Sequence, residues 1–171
     1  MILFETNRLI VRYLNESDWD YFKELLNAPE IIEPIPQKPF TIEEVKEKFN
    51  QNLDFDDSID PLRRYAWAVC IKGNDEVIGL CLFLVNEDGD RELAYRFRKS
   101  FWGNGFGTEM TKGLIDFSFS SLNLSKVTAD VTIGNLASMK ILEKFLKPER
   151  DFYNSRDKCM DRRYVLYKKD L

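Results

Sequence analysis

The chain has 171 residues, a length that fits one domain with a core of ordinary size. Its 44% hydrophobic and 13% aromatic content is that of a folded globular protein, and a formal net charge of −4 gives no global basic field for nucleic acid or an anionic membrane. Histidine is absent, no CxxC pair occurs and the three cysteines are far apart, so no metal site of the usual zinc type is expected.

In chain order, Leu9, Val11 and Tyr13 alternate with Arg8, Ile10 and Arg12, which predicts a strand. Ser17 reads as a helix N-cap, with Asp18 and Asp20 in the first turn and Phe22, Leu25 and Leu26 on the apolar face. Four prolines make residues 29–40 a loop. Thr41 then caps a second helix with Glu44 completing a capping box, and Ile42, Val45 and Phe49 form its buried stripe. An acidic loop with Asp54, Asp56, Asp57 and Asp60 follows, read as solvated or as an attractor of cationic ligands. Residues 65–72 and 76–85 are strands joined at Gly73-Asn74-Asp75, and 91–97 is a third antiparallel strand. Cys70 and Cys81 lie in these apolar runs and read as small hydrophobes.

Phe106, Met110, Leu114 and Phe117 step along one face of a further helix. Residues 126–133 read as a strand, 136–146 as a helix, 148–163 as a loop and 164–167 as a last strand. The order of elements predicts a single mixed α/β domain over residues 1–171, with hairpins followed by β-α-β-α-β. No stretch approaches the roughly 18 apolar residues of a membrane span, so a cytoplasmic protein is expected.

The chemistry concentrates in RELAYRFRKSFWGNGFGTEM. A strand enters a turn with Gly103, Gly105 and Gly107 at alternate positions and passes straight into a helix. Glycine permits positive φ and a close approach of backbone to ligand, and the first amides of a helix converge on an anion. A P-loop is excluded, because no lysine follows at the required spacing. The spacing GxGxG after an antiparallel hairpin also differs from a dinucleotide fingerprint.

Trp102-Gly103-Asn104-Gly105-Phe106-Gly107, followed by Thr108, resembles the coenzyme A turn (Q/R)xxGx(G/A) of the GNAT superfamily of N-acetyltransferases, with tryptophan in place of Gln or Arg. The opening, through Glu5, Thr6, Arg8, Leu9, Arg12, Leu14 and Asp18, resembles the ETxRLxLRxLxxxD start of the RimJ/RimL-like ribosomal-protein N-terminal acetyltransferase branch. Asn135, Ser138, Glu143 and Lys144 resemble that branch's NxxSxxxxEK motif, so the likeness covers nearly the whole chain.

The resemblance implies a GNAT-like fold: a mixed, mostly antiparallel sheet flanked by about four helices, with a V-shaped splay between two parallel strands. It implies acetyl-CoA as co-substrate, no metal, and an amine acceptor that is a peptide N-terminus or a small molecule. Transfer would occur by direct attack in a ternary complex. The backbone of Arg96, Phe97 and Arg98 would pair with the pantetheine arm, and the Phe97 amide would stabilise the oxyanion. Amides from Trp102 through Gly103, Asn104, Gly105, Phe106 and Gly107 to Thr108 would hold the pyrophosphate.

Asn135 would bond the pantetheine arm or cap its helix. Ser138, one turn on, is the candidate donor to the departing thiolate. The tyrosine that many members carry seven residues after the asparagine is replaced by Leu142, and the usual Gly-Phe is replaced by Leu146-Lys147. Those departures leave a non-catalytic acyl-CoA-binding module as the alternative. Glu92 is the leading candidate base, with ordered water or Glu5 behind it. An α-amine is roughly a tenth neutral at pH 7, a lysine amine only about 0.04%, so a chain without histidine suits a weakly basic amine better. Either a monomer or a homodimer is compatible with the sequence.

Overall fold

The computed structural model describes every residue except Asp57. Its centre is one eight-stranded sheet in the order β1-β2-β3-β4-β5-β6-β8-β7. The strands are β1 (Ile2–Glu5), β2 (Leu9–Arg12), β3 (Tyr65–Ile71), β4 (Val77–Val85), β5 (Arg91–Phe97), β6 (Lys126–Thr132), β7 (Lys147–Asn154) and β8 (Cys159–Tyr167). The helices are α1 (Trp19–Asn27), α2 (Pro29–Ile32), α3 (Ile42–Leu53), α4 (Phe106–Asp116) and α5 (Leu136–Leu142). This is the mixed α/β arrangement expected from the motifs, a mostly antiparallel sheet flanked by helices.

Apolar patterning explains the layers. In β2, Leu9 and Val11 are fully buried while Ile10 and Arg12 are partly exposed. β3 is apolar throughout and buried on both faces, as a central strand must be. One face packs Leu93, Phe97, Phe106, Met110, Leu114, Val127 and Leu142 into a core beneath α4 and α5. The other face carries Phe22, Leu25, Val45 and Phe49 of α1 and α3 against Ala66, Ala68 and Leu80.

Neighbouring strands run antiparallel except β5 and β6, which are parallel and joined by the α4 crossover. Their only registered pair is Glu92 with Thr128. β5 meanwhile keeps its ladder with β4 as far as Gly79 opposite Phe97. The sheet therefore opens into a V beyond Glu92.

Several local expectations change. Ser17 is not the N-cap: Asn15 caps a 3-10 turn, Glu16–Asp18, that leads into α1; its side chain accepts from the Ser17 amide, and the Asp18 carboxylate reaches back to the Asn15 amide at 2.8 Å. The shorter loop from Asn15 leaves Ser17 inside the turn. Thr41 and Glu44 do form their capping box, but Ile42 sits at the exposed edge of α3 and only Val45 and Phe49 are buried. Pro29 starts the short helix α2 within the presumed loop, as suits proline at a first helical position. β1 was not expected. α5 ends at Leu142, and the supposed loop after Leu146 is largely the β7–β8 hairpin. Its charged residues hide the alternation, because Arg162 pairs with Asp151 across the two strands.

In the acidic loop, Asp56 pairs with Arg63 and accepts from the Tyr65 hydroxyl, while Asp60 accepts from the Leu62 amide. These carboxylates serve the turn. Asp57 lies outside the described residues. Cys70 and Cys81 are buried, and burial pushes both thiols up, as expected of inert small hydrophobes. No described helix is long and apolar enough to cross a membrane.

Candidate active site

The turn after β5 is built by backbone geometry. Gly103 and Gly105 both have φ of +77°, a conformation that opposes any Cβ. Gly105 is the N-cap of α4 and supplies no side chain to bond the first-turn amides. Those amides are left to face outward, where the helix dipole favours an anion. The turn is pinned from within: the Asn104 side chain donates to the carbonyls of Phe101 and Trp102, at 3.1 and 3.2 Å.

Two distant segments brace it. Arg8 Nη1 donates to the Asn104 carbonyl at 3.0 Å, and its guanidinium lies 4.5 Å over the Phe106 ring. Glu109 of α4 accepts from the Thr6 hydroxyl, the Arg8 amide and Arg8 Nε. Hydrogen bonds from these partners hold the Glu109 carboxyl below its ordinary value despite partial desolvation. The amino-terminal motif is thus part of the glycine turn's support. On the other side Lys144 Nζ contacts the Thr108 hydroxyl at 3.4 Å, and Glu143 accepts from the buried Tyr164 hydroxyl at 2.8 Å. Cationic Arg8 and Lys144 flank outward-facing amides, a donor set that fits a pyrophosphate.

Between the turn and the sheet, the Arg98 amide donates to Ile78 across the β4 ladder. Antiparallel alternation then directs the Phe97 amide away from β4, toward the V. The Phe97 carbonyl is taken by Trp102 Nε1 at 2.8 Å, which gives that tryptophan a structural task. Arg98 departs from expectation: its amide is used by Ile78, and its guanidinium is held by Glu24 and Glu76. Arg98 is therefore engaged by the scaffold through both its amide and its guanidinium.

Inside the V lies a cleft of about 260 Å³ lined by Glu92, Arg96, Asp130, Asn135, Ser138 and Asp161 among others. Glu92, Asn135 and Ser138, which the sequence singles out, thus share one space. Asn135 caps α5, its side chain accepting from the Ser138 amide at 3.2 Å. Glu92 is half-buried and makes no hydrogen bond or ion pair among the described residues. Burial, and next the Asp130 charge, push its carboxyl up from 4.5 to about 7.

Several lining residues come from positions that no motif marks. Arg163, almost wholly buried, is clamped by Asp130 at 2.8 Å and by Asp88. Arg96 donates to the Leu25 carbonyl and to Gln37, and burial lowers its pKa to about 10. The Tyr95 hydroxyl is buried without a hydrogen-bond partner among the described residues. Burial raises this phenol, with the hydroxyls of Thr111 and Ser138 as neighbours acting the other way. A Cβ on Gly107 would stand 2.9 Å from the Tyr95 oxygen, so this glycine keeps α4 close against β5. Glu5 pairs with Lys72 at the far edge of the sheet and does not enter the cleft.

Residues 8–145 match the family model described as an acetyltransferase (GNAT) domain. A Bacillus licheniformis protein named uncharacterized N-acetyltransferase p20 is 31% identical over 166 residues, covering 91% of this chain and 90% of the relative. A GNAT-family acetyltransferase from Bacillus anthracis has a solved structure with TM-score 0.80 at 18% identity, covering 99% of each chain. A spermidine N-acetyltransferase from Vibrio cholerae, solved with CoA and spermine, has TM-score 0.76 at 20% identity over 94% of this chain and 96% of that one.

Proposed function

The chain belongs to the GNAT acetyltransferase family and is an acetyl-CoA-dependent N-acetyltransferase, and we propose that, as a single domain, it acetylates a primary amine at the V between β5 and β6. The acceptor is an α-amine or a small-molecule amine. Acetyl-CoA, when bound, supplies an activated acyl thioester.

The chain's residues divide the remaining work. The amides of the turn from Gly103 to Thr108, with Arg8 and Lys144 beside them, hold the pyrophosphate, while the Trp102 amide is already taken by the Lys99 carbonyl. The Phe97 amide, turned toward the V, is the oxyanion donor. Asn135 positions α5 by capping it, and its remaining amide protons are free to meet the pantetheine arm. Ser138 donates a hydrogen bond to the departing thiolate, which takes up the proton that the new amide nitrogen releases as the tetrahedral intermediate collapses. Glu92 takes a proton from the acceptor's ammonium to free the amine that attacks, and a carboxyl near 7 is poised to accept it at neutral pH.

The observation that carries this reading is Glu92: a half-buried, unpaired carboxylate at the vertex where the parallel strands part. The opening motif supports placing the chain in the RimJ/RimL-like branch, since Thr6 and Arg8 brace the coenzyme turn through Glu109. Protein mixed with acetyl-CoA and a panel of peptides, amino acids, polyamines and aminoglycosides, with free thiol followed, tests the proposal. Acceptor-dependent thiol release supports it. Thiol release that ignores every amine would sink it.

A further inference from the structure

We propose that Tyr95 is a positioning residue for acetyl transfer: its hydroxyl donates to the Ser138 oxygen and so aims the Ser138 proton at the sulfur of the departing coenzyme. This deepens the acetyl-transfer reading above and rests on it.

Two hydroxyls at the cleft are unspent. The Tyr95 ring lines the cleft, yet its oxygen is shielded from solvent and makes no hydrogen bond among the described residues. A buried hydroxyl left unpaired costs stability, so its place in the cleft wall calls for a partner. Ser138 also lines the cleft, and its hydroxyl makes no hydrogen bond among the described residues; only its amide is used, by the Asn135 cap. Other helix hydroxyls are committed. Thr111 donates to the Gly107 carbonyl at 2.8 Å, and Ser118 to the Leu114 carbonyl at 2.7 Å. Ser138 does not donate back to its own helix in this way, which leaves its proton free.

The packing around Tyr95 fixes where its hydroxyl goes. Tyr95 shares a face of β5 with Leu93 and Phe97, against the core beneath α4 and α5. A Cβ on Gly107 would stand 2.9 Å from the Tyr95 oxygen and 3.0 Å from Ile141 Cδ1. The absent side chain is the space that lets the phenol reach between α4 and α5. Thr111 and Ser138 are the hydroxyls beside it there, and of the two Ser138 alone lines the cleft. Burial keeps the phenol protonated, so at neutral pH it is a donor.

The chemistry at sulfur gives this chain a use. As the carbon–sulfur bond of the tetrahedral intermediate breaks, its electron pair passes to sulfur and negative charge grows there. Ser138 donates to that charge, and a serine that accepts from Tyr95 is polarised into a stronger donor. Neither residue gives up its proton, since sulfur takes the one released by the new amide nitrogen. Leu142, which lines the same cleft, has no proton to offer.

Tyr95→Phe removes the hydroxyl and keeps the ring. It is assayed with acetyl-CoA and an amine that turns over, alone and combined with Ser138→Ala or with Thr111→Val. The expected kcat is about 2- to 12-fold lower in Tyr95→Phe, the worth of one neutral hydrogen bond, with KM for acetyl-CoA kept. Resistance to denaturant is expected to be equal or higher, because the hydroxyl removed had no partner in the free protein. On Ser138→Ala the same change is expected to have no further effect on kcat, and on Thr111→Val its full effect. An unchanged kcat in Tyr95→Phe, or a loss that persists in full without Ser138, overturns the proposal.

Should no amine turn over, calorimetry with coenzyme A and its desulfo analogue separates the two readings. In the wild type the preference for coenzyme A is expected to grow between about pH 7 and about pH 9.5, as the thiol ionises while the raised phenol stays protonated. In Tyr95→Phe it is expected to grow about 2- to 12-fold less. That result upholds the thiolate site even though acetyl transfer has failed. A preference that does not grow, or grows equally in both proteins, overturns it.

Discussion

The two halves of the site are built from different materials. The donor half is backbone: positive-φ glycines, uncapped amides of α4 and strand amides turned into the V. The acceptor half is side chain, with Glu92, Arg96, Asp130, Asp161 and Arg163 arriving from β5, β6 and β8. Backbone geometry demands particular residues at fixed spacing, so it leaves a motif. Side-chain clefts demand only charges that meet in space, so they leave none.

The comparison is broken most severely on the acceptor side. Replacing Arg163 by Met strands Asp130, and is expected to cost about 3–5 kcal/mol in chemical denaturation. Survival of full stability would mean that the acceptor half does not depend on this clamp.

Glu92→Gln is expected to lower kcat by about 10²–10⁴-fold with the affinity for coenzyme A unchanged. The same change has the opposite sign for stability. Glu92 titrates near 7 in the folded chain against an ordinary 4.5, so between those values the folded protein holds a proton that the unfolded chain has released. Stability therefore falls as pH rises through that window and stays lower above it. Glu92→Gln is expected to be more stable than wild type at pH 8 by about 3 kcal/mol, and equal to it near pH 4. Melting curves at the two pH values check this.

The donor side answers differently. Gly105→Val places a β-branched residue at positive φ beside the anion cradle, and is expected to cost about 1–2 kcal/mol of stability and to weaken coenzyme A binding. Its space is otherwise open, with Arg8 the nearest atom at 3.6 Å, so strain rather than collision is what calorimetry would read. Ser138→Ala is the mildest change, lowering kcat about tenfold with coenzyme affinity kept, as expected for one lost charged hydrogen bond. An unchanged kcat would remove serine from the donor role.

The same contrast explains what was legible in the sequence. The glycine turn, the Thr41–Glu44 capping box and the face of α4 through Met110 and Leu114 follow local rules, and the structure has them. The link from Thr6 and Arg8 to Glu109 joins positions about a hundred residues apart, so only their shared membership of family motifs hinted at it. β7 escaped notice because it is an edge strand, with charged residues where alternation would show. Arg96 looked like one more strand residue, since its lack of a counter-ion depends on α1 and Gln37 folding against it. Arg98 is read into the coenzyme site by its place in the motif, and its amide's use by Ile78 of β4 depends on a ladder that the motif does not display.

The V between β5 and β6 is proposed to carry out acetyl transfer with Glu92 as its base. The pH dependence of kcat/KM, measured with one acceptor in wild type and Glu92→Gln, tests it most directly. An extra acid limb near pH 7 is expected in the wild type, where Glu92 becomes protonated, and its loss in the variant, leaving only the acceptor's own ionisation. Superimposable profiles of equal height would contradict it.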